Sequence, residues 1–136
     1  MTVETKRITL SWEEDLRFRG GEPGGPVTTI DGDNLAAPGP MLTLLLAAAA
    51  CSGADVVAIL GKMRVGLTGC RIEASGVRRE AEPRRYTSLH LEYHLAGAGL
   101  DEARARRAIE LSITKYCSVL HSLGPDIRIT HGLTLG

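Results

Sequence analysis

The chain carries no net charge: lysine plus arginine and aspartate plus glutamate each number 16 in 136 residues. Nucleic acid and anionic membranes are bound through an excess of basic side chains, so this balance disfavours both as partners. A surface without net charge tolerates self-association instead. Cysteine is scarce as well. Cys51, Cys70 and Cys117 are an odd number at wide spacing with no secretory leader recognisable ahead of them. They do not read as a disulfide framework; they suit a reducing cytoplasm, as free or redox-active thiols. Also missing are internal repeats, low-complexity tracts and the ligand spacing of a zinc site. The length fits a single domain over residues 1–136, able to bury a core without staples.

What is present centres on the run Pro40 to Leu60, PMLTLLLAAAACSGADVVAIL. It is apolar on every side, so as a helix it is expected to be wrapped by the rest of the protein. Pro40 suits a first helical turn, which puts the start near Met41. The end falls between Gly61 and Gly69, with Gly61 either stopping the helix or carried inside it. Leu42 to Leu60 approaches membrane-spanning length. Asp55, Ser52, Thr43 and Gly53 argue against a bilayer, since a carboxylate near one end of a lone span costs on the order of 2–3 kcal/mol. The run is therefore read as a core helix carrying a thiol, Cys51. One turn further along the same face, Asp55 needs a partner or a protein boundary.

The flanks read as strands. Val3 to Trp12 tends toward alternation, Asp15 to Arg19 is extended, and Val27 to Ile30 returns after the turn-prone GGEPGGP, together a hairpin meander. Arg71 to Val77 and Thr87 to Leu95 form two more strands joined by the charged linker RREAEPRR. In the second, Leu89, Leu91, Tyr93 and Leu95 share one face, and His90, Glu92 and His94 the other. Four residues of strand set the two histidines about 13 Å apart, so they read as exposed strand residues, not metal ligands. Asp101 is a good N-cap for a second helix. Its inward stripe is Ala105, Ala108, Ile109, Ser112, Ile113, Tyr116, Cys117 and Leu120, and it runs to Gly124-Pro125. Ile127 to Leu135 closes the chain as a strand.

Two inward cysteines on two apolar helices are the strongest chemical signal. Helices packed at the usual 8–10 Å would let facing thiols approach disulfide distance. Against this stands the reading in which each is a small buried hydrophobe, the reading preferred for Cys70.

The segments Pro40 to Leu60 and Lys115-Tyr-Cys-Ser-Val resemble the two signature segments of the OsmC/Ohr family, the osmotically inducible and organic hydroperoxide resistance proteins. The resemblance extends over essentially the whole chain and implies an α+β fold, two buried helices wrapped by antiparallel sheets in an intertwined homodimer. It implies a cytoplasmic thiol peroxidase with Cys51 peroxidatic and Cys117 resolving, acting on a small hydrophobic hydroperoxide and reduced by an external thiol or dithiol, without metal or flavin. The family also supplies an arginine from the N-terminal meander to hold the thiolate. Arg17 and Arg19 are the candidates, with Arg19 preferred. One departure points to an alternative: where family peroxidases place a glutamate near the start of the central helix, this chain has Met41 and Leu42. The alternative is a non-catalytic or weakly active dimer binding a small hydrophobic ligand.

Overall fold

The computed structural model describes residues 2–136. The chain forms two compact units, one ending at Leu44 and one running from Leu45 to Gly136. The first is a three-stranded antiparallel meander of β1 (Thr9–Glu14), β2 (Arg17–Gly21) and β3 (Val27–Asp31). The strand expected from Val3 begins only at Thr9, and every residue of β1 is exposed. At the end of β3 the buried Asp31 carboxylate accepts the amides of Asp33 at 2.9 Å, Leu35 at 3.2 Å and Ala36 at 2.9 Å. These bonds, that of Ala36 foremost, hold its acid below the usual carboxylate range. They also fold the loop that delivers the chain to the long helix.

That helix, α1 (Pro40–Lys62), starts and stops where the sequence places it. Gly61 is carried inside. The left-handed residue is Arg64, at φ 62°. Val65 donates to Leu60 at 3.0 Å and Arg64 to Gly61 at 3.0 Å, closing the helix with a Schellman motif whose apolar clasp is Leu60 with Val65. Within the single chain α1 is not buried all round. Leu45, Ala48, Ser52, Gly53, Val56 and Leu60 are buried, but Leu46 is 57% exposed and Val57 48%. An all-round apolar helix has more surface than this one chain covers.

The second unit carries a sheet of β4 (Gly66–Arg78), β5 (Tyr86–Ala98) and β6 (Arg128–Leu135). β4 and β5 are antiparallel, whereas β6 runs parallel to β5, so this sheet is mixed and not wholly antiparallel. The helical crossover between β5 and β6 is what permits that direction. On β5 the alternation is as read: Leu89, Leu91, Tyr93 and Leu95 are buried. They face Val56 and Leu60 of α1 and Ala105, Ala108 and Ile109 of α2 (Glu102–Leu111) in one core cluster, with Leu89 buried beside it. Gly53 lets α1 sit close to the sheet, since a Cβ there would stand 3.1 Å from Ile72 Cδ1.

Asp101 caps α2 by accepting the Arg104 amide at 2.8 Å. The continuous second helix does not form. α2 ends at Leu111, residues Ser112–Tyr116 make a π-helical turn, Cys117 is extended at ψ 100°, and α3 is the short piece Ser118–Ser122. Tyr116, expected in the buried stripe, is the last residue of the widened turn and is 50% exposed, while Cys117 and Leu120 beyond it are buried as expected. His121 Nε2 donates to the Ile113 carbonyl at 3.0 Å.

Candidate functional site

Cys51 lies in the middle of α1 and is half-buried; Cys117 lies between the π-turn and α3 and is fully buried. The two are unbridged thiols, close enough for Cys51 to act on the titration of Cys117. Burial pushes the Cys117 thiol up to about 11, and Cys51 and the charge of Asp55 add to it, while the Leu120 amide pulls the other way. Cys117 therefore keeps its proton at neutral pH.

Asp55 finds the partner that the sequence demands. Ser112 Oγ donates to Asp55 Oδ2 at 2.9 Å. Ser112 Oγ also meets Ser52 Oγ at 2.8 Å, and Ser52 Oγ meets Tyr93 Oη at 2.6 Å. A hydroxyl has one proton to give. With that of Ser112 committed to Asp55, Ser52 donates to Ser112 and Tyr93 to Ser52. Ser52, Ser112 and Tyr93 are all fully buried. Burial raises the Tyr93 phenol to about 12, opposed by its Ser52 bond, so it remains a donor. These hydroxyls escaped the reading of the sequence. The three-and-four spacing makes Ser112 one small residue of an apolar stripe, and the signal in the sequence is a hydroxyl on a buried helical face.

Arg17 and Arg19 share β2, in the N-terminal unit. Arg17 is half-buried and pairs with Glu14 at 3.2 Å and Asp15 at 3.4 Å. Arg19 is exposed, opposite Ser11 and Thr29. Cys70 is exposed on β4, opposite Leu95. His90 bonds Thr130 at 2.7 Å and His94 pairs with Glu73 at 3.3 Å, each a cross-strand neighbour. Among the described residues no three metal-ligating side chains converge. The exposed side of α1 lines an open apolar groove of about 600 Å³, with Leu46, Ala50 and Val57 along it and Cys70 and Ile72 at its edge.

The family model described as "OsmC-like protein" matches residues 31–132. Protein YhfA of Escherichia coli K12 is 39% identical over 123 residues, spanning 90% of this chain and 92% of YhfA. The crystal structure of an OsmC-like protein from Mycoplasma pneumoniae superposes with a TM-score of 0.84 at 17% identity, covering 98% of this chain and 99% of that one. An organic hydroperoxide resistance protein from Legionella pneumophila superposes at 0.68 with 11% identity, covering 98% and 99%. At these identities the two structures speak for the α+β fold alone.

Proposed function

Since the chain belongs to the OsmC-like protein family, we propose that it is a thiol-dependent peroxidase in which Cys51 reduces a small organic hydroperoxide and Cys117 resolves the product. The observation that carries this reading is the placement of two unbridged thiols, Cys51 on α1 and Cys117 at the buried turn before α3, near enough to influence each other. The Cys51 thiolate attacks the terminal peroxide oxygen and the O–O bond breaks. This leaves a sulfenic acid on Cys51 and an alkoxide that takes up a proton to leave as the alcohol. Cys117 then attacks the Cys51 sulfur. An S–S bond forms, the S–OH bond breaks, and the hydroxide leaves as water with the proton that Cys117 gave up. An external dithiol returns both cysteines to thiols by exchange, with its own oxidation to a disulfide. Arg19 is assigned the cation that holds Cys51 as thiolate: among the described residues it makes no ion pair, whereas Arg17 is engaged by Glu14 and Asp15.

The active form is proposed to be a homodimer in the cytoplasm. The exposed Leu46 and Val57 face of α1 and the absence of net charge support pairing with a second copy. A second reading is favoured by the first turn of α1, which carries no acidic residue. A dimer with the same groove and no efficient turnover would bind a small hydrophobic ligand there.

Steady-state consumption of cumene hydroperoxide in the presence of dithiothreitol decides between them. Turnover that vanishes in Cys51→Ser, with Cys117→Ser reacting once and stalling as a sulfenic acid, is the expected result. No turnover by the wild-type chain, or turnover untouched by Cys51→Ser, overturns the peroxidase and leaves the ligand-binding dimer.

A further inference from the structure

The resolving step needs two sulfurs held together, yet Cys117 stands on an extended residue between two short helical pieces. What fixes it is read from Ser112. The Ser112 amide points back to the Ala108 and Ile109 carbonyls of α2, while its carbonyl reaches forward five residues to accept the Cys117 amide at 2.8 Å. Its hydroxyl reaches sideways to α1, taking the proton of Ser52 at 2.8 Å and giving its own to Asp55 at 2.9 Å. Ser52 and Asp55 follow Cys51 on the same helix, one residue and four residues beyond it. One residue thus bonds both to the turn that carries one thiol and to the helix segment that carries the other.

We propose that Ser112 is the positioning residue of the thiol pair, clamping the Cys117 backbone to the Ser52–Asp55 segment of α1 so that the two sulfurs meet. This rests on the two-cysteine reading above but concerns geometry and not peroxide chemistry. A serine that merely filled core space would need no partners on α1, whereas here every polar group of Ser112 is used. The acceptor on Asp55 fixes the direction of the bond, because the carboxylate can only accept.

The test is the equilibrium of the Cys51–Cys117 disulfide in glutathione buffers, with the bridge identified by peptide mass mapping. Two protein thiols give up two electrons and two protons, and one glutathione disulfide becomes two glutathione thiols, so the constant reports the effective concentration of one sulfur at the other. Ser112→Ala and Asp55→Ala are expected to lower that constant at least about tenfold. Asp55→Asn, which keeps an acceptor for the Ser112 proton, should stay within about threefold of wild type. Leu91→Ala truncates the core and destabilises the fold without touching the clamp, so it should leave the constant within about twofold. Should Ser112→Ala fail to fold, the contrast between Asp55→Ala and Asp55→Asn carries the same comparison. Constants for Ser112→Ala and Asp55→Ala within about twofold of wild type would overturn the clamp. So would a fall in Leu91→Ala as large as theirs, or a wild-type chain that forms no Cys51–Cys117 bridge at any buffer ratio. No peroxide enters the measurement. A chain that forms the bridge yet consumes no hydroperoxide loses the peroxidase and keeps the clamp.

Discussion

Asp55 sets the direction of a hydrogen bond made by Tyr93, three links away. The carboxylate takes the proton of Ser112, which leaves Ser112 to accept from Ser52 at 2.8 Å and Ser52 to accept from Tyr93 at 2.6 Å. Tyr93→Phe therefore removes a donor and leaves a buried acceptor on Ser52. A loss of roughly 1–2 kcal/mol is expected, read from the urea midpoint at constant slope. An unchanged midpoint would show that the outer hydroxyl is idle.

Stability should fall on the alkaline side. The Cys117 thiol stands at about 11 in the folded chain against 9.0 as its ordinary value, and the Tyr93 phenol at about 12 against 10.0. Both groups hold their protons more tightly when folded. Their contribution is complete below pH 9, and is lost through the 9 to 11 interval for Cys117 and the 10 to 12 interval for Tyr93. For Cys117 the loss is on the order of 3 kcal/mol. Denaturation midpoints of wild type and Cys117→Ala, measured from pH 7 upward, should converge as the pH rises. Parallel curves would show that burial of this thiol does not govern the alkaline limb.

Arg19→Ala should slow hydroperoxide consumption at neutral pH, with the rate recovering as the pH rises toward the ordinary thiol range. Arg17→Ala should act on the hairpin instead, through the lost pairs with Glu14 and Asp15. A rate loss in Arg17→Ala with none in Arg19→Ala would exchange the two roles.

Leu46→Glu is expected to turn a dimer into monomers at micromolar concentration, because it puts a charge on a side chain 57% exposed in the single chain and proposed to be covered in the pair. Sedimentation velocity checks it. A dimer that survives this change pairs through some other face.

The elements whose periodicity answers to a single packed face were legible in the sequence. β5 alternates because Leu89, Leu91, Tyr93 and Leu95 meet one apolar layer, and Asp101 caps α2 because its carboxylate satisfies an orphan amide. The break at Cys117 was not legible. Residues 105 to 120 keep the three-and-four spacing of a regular helix, and the π-turn begins at Ser112, whose bonds to α1 no local pattern announces. Nor could all-round apolarity in α1 separate burial within one chain from burial between two. The nearness of Cys51 to Cys117 was anticipated from two inward faces, but the hydroxyl chain beside it depends on a proton count around Asp55 that needs distances.

The π-turn at Ser112–Tyr116 also makes the site a matter of counting. A regular helix advances about 100° per residue, and a turn closed five residues apart holds one residue more than a turn closed four apart. Deleting one residue between 113 and 116 would let the turn close four residues apart on the same Ser112 carbonyl, and the side chains after it would keep their bearing on α2. Cys117 would then keep its place on the Ser112 carbonyl although the turn that carries it had lost a residue.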